Sequence, residues 1–98
     1  MPTPVPLPTQ EPQYGYTGRE VRKIIGDDPE TVIRFVGAVR DWCTVHRPDL
    51  VSYADELVEF APIKAAWSSY RQALVADAIK KIRYADQPEF LRLFLESR

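Results

Sequence analysis

The chain contains one cysteine and one histidine, Cys43 and His46, three positions apart. This spacing would place both side chains on one face of a helix. A thiol beside an imidazole is the smallest arrangement that could attack a carbonyl, but the reaction also needs an orienting group and an oxyanion site. No residue pattern marks either of these. The sequence therefore predicts structural roles for both residues, and a Cys43–His46 hydrolase is the least favoured of three functional hypotheses.

The remaining ionisable residues indicate no metal or cofactor chemistry. One cysteine and one histidine cannot complete a tetrahedral nitrogen–sulfur site without carboxylate ligands, so we predict that the protein uses neither a metal nor a cofactor. The acidic cluster Asp55, Glu56 and Glu59 has the spacing of a solvated helix face. Thirteen basic and fourteen acidic residues give a net charge of −1. A non-specific polyanion binder needs an excess of positive charge, so the composition disfavours nucleic acid as a partner.

The periodicity of apolar residues after position 16 predicts an all-α fold. We expect a compact bundle of four to five helices over residues 17–98, preceded by an extended proline-rich arm over residues 1–16. Thr17 and Glu20 form a capping box, Gly26 ends the first helix, and Asp28 with Pro29 begins the second. The predicted helices cover residues 17–25, 29–45, 50–60 and 63–84, and a short last helix opens at Asp86.

The predicted core depends on the fourth segment, which is the longest and should be central. Its apolar positions fall on one helical stripe, formed by Ile63, Trp67, Tyr70, Leu74 and Ala78. Pro62 should break or kink the chain before it, because a proline inside a helix costs about 3 kcal/mol. The third helix should bury Leu50, Tyr53, Ala54, Leu57, Val58 and Ala61. Gly37 is predicted to permit a close helix crossing.

The stretch TGREVRKIIGDDPETVIRFV resembles a helix-turn-helix segment. The residues that carry the resemblance occupy the core and turn positions of that motif: Val21, Ile25, Gly26, Thr31, Val32 and Phe35. The resemblance implies a small DNA-binding regulator whose second helix meets DNA. Arg22 and Asp27 depart from the motif, and Asp27, Asp28 and Glu30 would face phosphates. An ordinary helical corner explains the same residues.

A second string, W-x-x-Y-R-Q-A-L at residues 67–74, covers eight of the 98 residues. It resembles a string found in bacteriophage tail-assembly chaperones and related tail proteins. The resemblance implies a structural or assembly protein of a phage, located in the cytoplasm or the virion. The alternative is that Trp67, Tyr70 and Leu74 are a core stripe.

The arm MPTPVPLPTQEPQYGYTG has proline at positions 2, 4, 6, 8 and 12. In an extended strand, alternate prolines remove the hydrogen-bond donors from one edge. In polyproline II conformation the same segment is a ligand for an aromatic-lined groove. An unstructured tail is the third possibility. The candidate partner-binding residues are Val5, Leu7, Tyr14 and Tyr16. If the arm does not bind, the first candidates are on the helices, at Trp42, Phe90 and Phe94.

These observations favour a non-enzymatic interaction or assembly protein that docks on protein partners, or on further copies of itself, through its arm and its helical faces. The alternative is the helix-turn-helix regulator. No apolar run approaches the ~20 residues that span a bilayer, and the arm lacks the basic start and apolar centre of a signal peptide. We therefore expect no membrane association.

Overall fold

The computed structural model of the protein describes residues 18–97. These residues form five α-helices and two 3₁₀ turns, and no strand occurs among them. The helices are α1 (Gly18–Ile25), α2 (Pro29–His46), α3 (Val51–Lys64), α4 (Ser68–Ile79) and α5 (Gln87–Glu96). The 3₁₀ turns, Pro48–Leu50 and Tyr84–Asp86, lead into α3 and α5. The all-α prediction is confirmed for this part of the chain, whereas the arm at residues 1–16 lies outside the described residues.

The start of α2 is fixed by local interactions that the sequence predicts. The Asp28 carboxylate caps the helix, since its Oδ2 accepts hydrogen bonds from the Thr31 amide at 2.9 Å and the Thr31 hydroxyl at 3.0 Å. Pro29 occupies the first turn, where its missing N–H costs nothing. Gly26 ends α1 with a φ of +91°, a left-handed conformation that favours glycine. The start of α2 and the end of α1 are therefore set by local interactions within the six residues from Gly26 to Thr31.

The central helix of the bundle is α2, which has 18 residues and is the longest helix. It packs against α1, α3, α4 and α5. Its buried residues recur at helical spacing and include Thr31, Val32, Phe35, Val36, Val39 and Cys43. The prediction that the fourth segment is longest and central is wrong, because α4 has only 12 residues.

The boundary between α3 and α4 also differs from the prediction. α3 continues through Pro62, an exposed residue in its last turn, and ends at Lys64. The chain breaks instead before α4, where Trp67 is extended with φ −116° and ψ 136°. Consequently Ile63, Trp67 and Tyr70 do not join Leu74 and Ala78 in the core. Their side chains face solvent, as does that of Tyr53 on α3.

The remaining core residues of α3 are few and small. Ala54 and Ala61 are fully buried, and Leu50, Leu57 and Val58 are partly buried against the core. Gly37 does not mark a close helix crossing, because a Cβ atom built there would meet no atom within 4 Å. The predicted role of Gly37 is therefore wrong.

Gln87 joins α5 to the end of α4. Its side chain is fully buried, and its Nε2 donates hydrogen bonds to the carbonyl oxygens of Ile79 and Ile82, both at 3.1 Å. The Ile79 carbonyl oxygen, at the end of α4, also accepts the Ile82 N–H at 3.1 Å. Gln87 adds a second donor there and binds the Ile82 carbonyl of the following turn, and so fixes the position at which α5 begins.

Candidate interaction surfaces

Four large apolar side chains are exposed where α3 gives way to α4. We call Phe60, Ile63, Trp67 and Tyr70 the α3–α4 apolar surface. Their exposed fractions are 47, 64, 55 and 50 %. The Trp67 and Tyr70 rings meet edge to face with centroids 5.7 Å apart. Single exposed hydrophobic residues are normal, but a cluster of them is typical of an interaction site.

The positions of these side chains follow from the local backbone. Phe60 and Ile63 are three residues apart, so they lie on one face of α3. Trp67 precedes the first turn of α4, which contains Tyr70. The Lys64 ammonium lies 5.4 Å from the centroid of the Phe60 ring, and this cation–π contact places a positive charge at the edge of the surface.

Arg71 holds the corner beneath this surface. Its Nε and Nη2 donate to the two carboxylate oxygens of Asp27 at 3.0 and 2.9 Å, and its Nη1 donates to the carbonyl oxygen of Ala65 at 2.7 Å. Only 14 % of the Arg71 side chain is exposed. One guanidinium thus joins the α1–α2 corner to the α3–α4 corner, and the bidentate geometry fixes its orientation.

The same contacts shift the pKa values of both Asp27 and Arg71. Hydrogen bonds from Arg71 are the main cause that holds the pKa of Asp27 below its ordinary value of 3.8. The hydrogen bond to Asp27 raises the pKa of Arg71. Asp27 therefore serves a structural pairing, at a position where a helix-turn-helix segment normally places an apolar residue.

A groove of about 330 Å³ lies between α2 and α5. We call it the α2–α5 groove. Its lining is mostly apolar and comprises Ala38, Asp41, Trp42, Val45, His46, Phe90, Leu93, Phe94 and Ser97. A second depression of about 350 Å³ shares Ala38, Asp41, Phe94 and Ser97 with it and extends it to Arg34, Gly37 and Arg40. The groove therefore follows α2 from Arg34 to His46.

Aromatic contacts shape the floor of this groove. Trp42 meets Phe90 edge to face at 5.5 Å and stacks on His46 at 4.1 Å. Phe90 and Phe94 both pack edge to face on the buried ring of Phe35. The Trp42 Nε1 is buried and has no hydrogen-bond partner among the described residues. The three helical residues predicted as contact candidates, Trp42, Phe90 and Phe94, are thus brought together here, but Phe90 and Phe94 are buried and only Trp42 is partly exposed.

Cys43 and His46 lie in different environments. Cys43 is fully buried in the core, and burial raises the pKa of its thiol. His46 is exposed and stacks on Trp42. Since the thiolate is the reactive form of cysteine, this environment suits a small core residue and not a nucleophile.

The helix-turn-helix residues form a corner whose second helix, α2, packs against α3, α4 and α5. Its solvent-facing side carries the carboxylates Glu30 and Asp41 beside Arg34. A recognition helix would turn such a side toward DNA. Asp28 and Glu30 are exposed at the start of α2, where DNA phosphates would lie. These features disfavour the regulator hypothesis.

The predicted arm residues Val5, Leu7, Tyr14 and Tyr16 lie outside the described residues. Within residues 18–97, no group of three or more His, Cys, Asp or Glu side chains is arranged to hold a metal ion. None of the helices in this range is long and apolar enough to cross a membrane.

Three features of these surfaces are not predicted by the sequence. They are the Arg71 contact to Ala65, the exposed position of Trp67, and Arg34 at the end of the groove. Arg34 lies over the Phe94 ring at 5.8 Å. The one sequence signal for the Arg71 contacts is its charge, which is opposite to that of Asp27. The two residues are 44 positions apart, so a local pattern does not reveal that they pair.

Comparison with known proteins gave no match. Neither a protein-family model, nor a curated protein, nor a solved structure matches the chain.

Proposed function

We propose that the protein is a non-enzymatic interaction protein that assembles with protein partners through its α3–α4 apolar surface and its proline-rich arm. The observation that carries the proposal is the cluster of Phe60, Ile63, Trp67 and Tyr70. Each of these side chains is about half exposed although the same helices bury smaller residues. Keeping large apolar groups in water is unfavourable, and a partner surface removes that cost.

The chemistry of the surface defines the partner. Tryptophan and tyrosine are frequent binding anchors because each combines a large apolar ring with one polar atom. A matching partner offers an apolar pocket with hydrogen-bond acceptors at its rim for the indole N–H and the phenol O–H. An acidic group near the rim would meet Lys64, which lies over Phe60.

The string at residues 67–74 supports a more specific version. Trp67 and Tyr70 face solvent, whereas Arg71 pairs with Asp27 and Leu74 is buried. The string therefore contains both anchors of the fold and candidate anchors for a partner. Its resemblance to bacteriophage tail-assembly proteins makes an assembly or structural component of a phage the concrete form of the proposal, acting in the cytoplasm or the virion.

The test compares two aromatic substitutions with a matched control. The double variant Trp67→Ser/Tyr70→Ser removes both rings, and Tyr84→Ser removes an aromatic side chain that is 55 % exposed elsewhere. Partners should be identified by site-specific photocrosslinking from position 67 in source cells, then purified and measured by calorimetry. We expect the double variant to lose at least tenfold in affinity and Tyr84→Ser to bind normally. Equal affinity of both variants would contradict the proposal.

A further inference from the structure

The α2–α5 groove has the features of a site for a proline-rich segment. Such segments in polyproline II conformation bind grooves lined by aromatic rings. Trp42 supplies a partly exposed ring beside the buried rings of Phe90 and Phe94, which are 3 and 6 % exposed. Val45 and Leu93 add exposed apolar side chains to the walls. The groove thus offers apolar contact along the side of α2.

One segment of this chain matches the groove in composition. Residues 2–12 contain five prolines, the apolar residues Val5 and Leu7, and a single charge, Glu11. Arg34 lies at one end of the groove, with its guanidinium over the Phe94 ring at 5.8 Å. No carboxylate within residues 18–97 forms an ion pair with Arg34. The one charge of the segment is therefore opposite in sign to the group at the groove end.

The spacing of the segment also fits. A polyproline II helix repeats every three residues, so Val5, Pro8 and Glu11 share one face. With Glu11 opposite Arg34, Val5 lies about 19 Å farther along the segment. Along α2, Val45 lies about 17 Å from Arg34. Pro8 would then lie about 9 Å from Glu11, opposite the stretch of α2 that contains Ala38 and Trp42.

α1, to which the arm is joined in the sequence, packs mainly against α4, whereas the groove lies between α2 and α5. The proposed assembly function requires contacts between molecules, so we assign the arm of a neighbouring molecule to the groove, and the experiment below distinguishes it from the molecule's own arm.

We propose that the α2–α5 groove binds residues 4–11 of a second copy of this chain, running antiparallel to α2 with Glu11 opposite Arg34. This inference deepens the proposed assembly function by naming the partner of the arm. It does not involve the α3–α4 apolar surface, which shares no residue with the groove.

The decisive experiment mixes two full-length proteins. One carries a nitroxide spin label at Thr3→Cys in a Cys43→Ala background and contains no ¹⁵N. The other is unlabelled wild-type protein enriched in ¹⁵N. If the arm enters the groove of a second copy, the nitroxide should broaden the indole N–H signal of Trp42. Its intensity should be at least threefold lower than in the same sample after the nitroxide has been reduced. The Trp67 indole signal, on the other surface, should keep its intensity.

A charge exchange identifies the register. Arg34→Glu in the ¹⁵N protein or Glu11→Lys in the labelled protein should each restore the Trp42 signal. When the two variants are mixed, the Trp42 signal should again lose intensity. The matched control Arg83→Glu changes an exposed arginine outside the groove and should have no effect.

Three results would overturn the inference. These are an unchanged Trp42 signal, an equal loss at Trp67, and a loss that occurs only when label and ¹⁵N are on the same molecule. Because Cys43→Ala removes a buried side chain, sedimentation of label-free wild-type protein and Arg34→Glu gives an independent readout, and equal association of the two would also overturn the inference. If the groove experiments fail while Trp67→Ser/Tyr70→Ser still loses its partner, the proposed function stands and only this inference falls.

Discussion

The exposed indole of Trp67 and the buried ring of Phe35 are a matched pair for testing which aromatic residues hold the fold together. Trp67 is 55 % exposed, while Phe35 is fully buried and contacts Phe90 and Phe94. We expect Trp67→Ala to lower the free energy of unfolding by less than about 1 kcal/mol. Phe35→Ala should lower it by about 3–5 kcal/mol, because it leaves a cavity. Denaturant unfolding of both variants measures the difference, and similar losses would place Trp67 back in the core.

The Asp27–Arg71 pair predicts a dependence of stability on pH. The pKa of Asp27 is lowered in the folded protein from its ordinary value of 3.8, mainly by the hydrogen bonds from Arg71. The ionised form therefore stabilises the fold at pH values above 3.8, and this contribution is lost as the pH falls through the lower folded-state pKa.

Melting temperatures of wild-type protein and Asp27→Asn should accordingly differ by a constant amount from pH 7 to about pH 5 and converge below about pH 4. Asp77→Asn, which changes an exposed carboxylate in α4, is the control and should show no such convergence. A difference between wild type and Asp27→Asn that persists unchanged to pH 2.5 would show that the charge of Asp27 does not stabilise the corner.

At the scale of the helices, the sequence predicts the elements whose ends are set by local interactions. The second helix was expected over residues 29–45 and spans Pro29–His46, because Asp28 and Pro29 define its start through neighbouring atoms. The break before α4 could not be predicted in this way. Ala65 and Ala66 favour helix, and the stripe from Ile63 to Ala78 suits one continuous helix. The turn is instead held by Arg71, which bonds to Ala65 and to the distant Asp27.

The residues of the candidate surfaces can be predicted from the sequence in part, but their spatial arrangement cannot. The sequence identifies the aromatic residues of the α2–α5 groove because they recur at helical spacing. It does not show that α5 leaves a groove beside α2, since that depends on how α5 is placed at the end of α4. The two hydrogen bonds from Gln87 are part of this placement, and no local pattern distinguishes Gln87 from an exposed glutamine.

The contribution of Gln87 to the junction between α4 and α5 can be measured. Gln87→Leu keeps a similar volume but leaves the buried carbonyl groups of Ile79 and Ile82 without their side-chain donor. The expected loss in the free energy of unfolding is about 1–3 kcal/mol. Gln72→Leu, at an exposed position of α4, should change it little. Denaturant unfolding tests both variants, and equal stability of Gln87→Leu and wild type would contradict the assignment.

The acidic residues at the start of α2 predict that the protein does not bind DNA. Asp28 and Glu30 are exposed there and would meet phosphates. In a gel-shift assay with mixed-sequence duplex at low salt, we expect no retardation at protein concentrations on the order of 10 µM. Retardation that weakens as salt is added would revive the helix-turn-helix hypothesis.

At the scale of the whole molecule, the two surfaces allow an assembly to extend. An arm on one molecule and a groove on the next form a heterologous contact, which generates either a closed ring or an open chain. The α3–α4 apolar surface remains exposed in such an arrangement, because it shares no residue with the groove. A second protein could therefore bind each copy.

Deletion of residues 1–13 separates folding from assembly. The buried core of the described chain runs from Val21 to Phe94, so the truncated protein should keep the melting temperature of the full chain. The truncated protein should sediment as a monomer, because side chains such as those of Val5 and Leu7 each contribute about 1–2 kcal/mol when buried. Val5→Asp/Leu7→Asp should remove most of the association, since charge would enter an apolar groove. Pro4→Gly/Pro6→Gly should weaken it less, by raising the entropy of the unbound arm. Sedimentation velocity over a range of concentrations gives the order of these effects, and a truncated protein that associates as strongly as the full chain would exclude the arm from assembly.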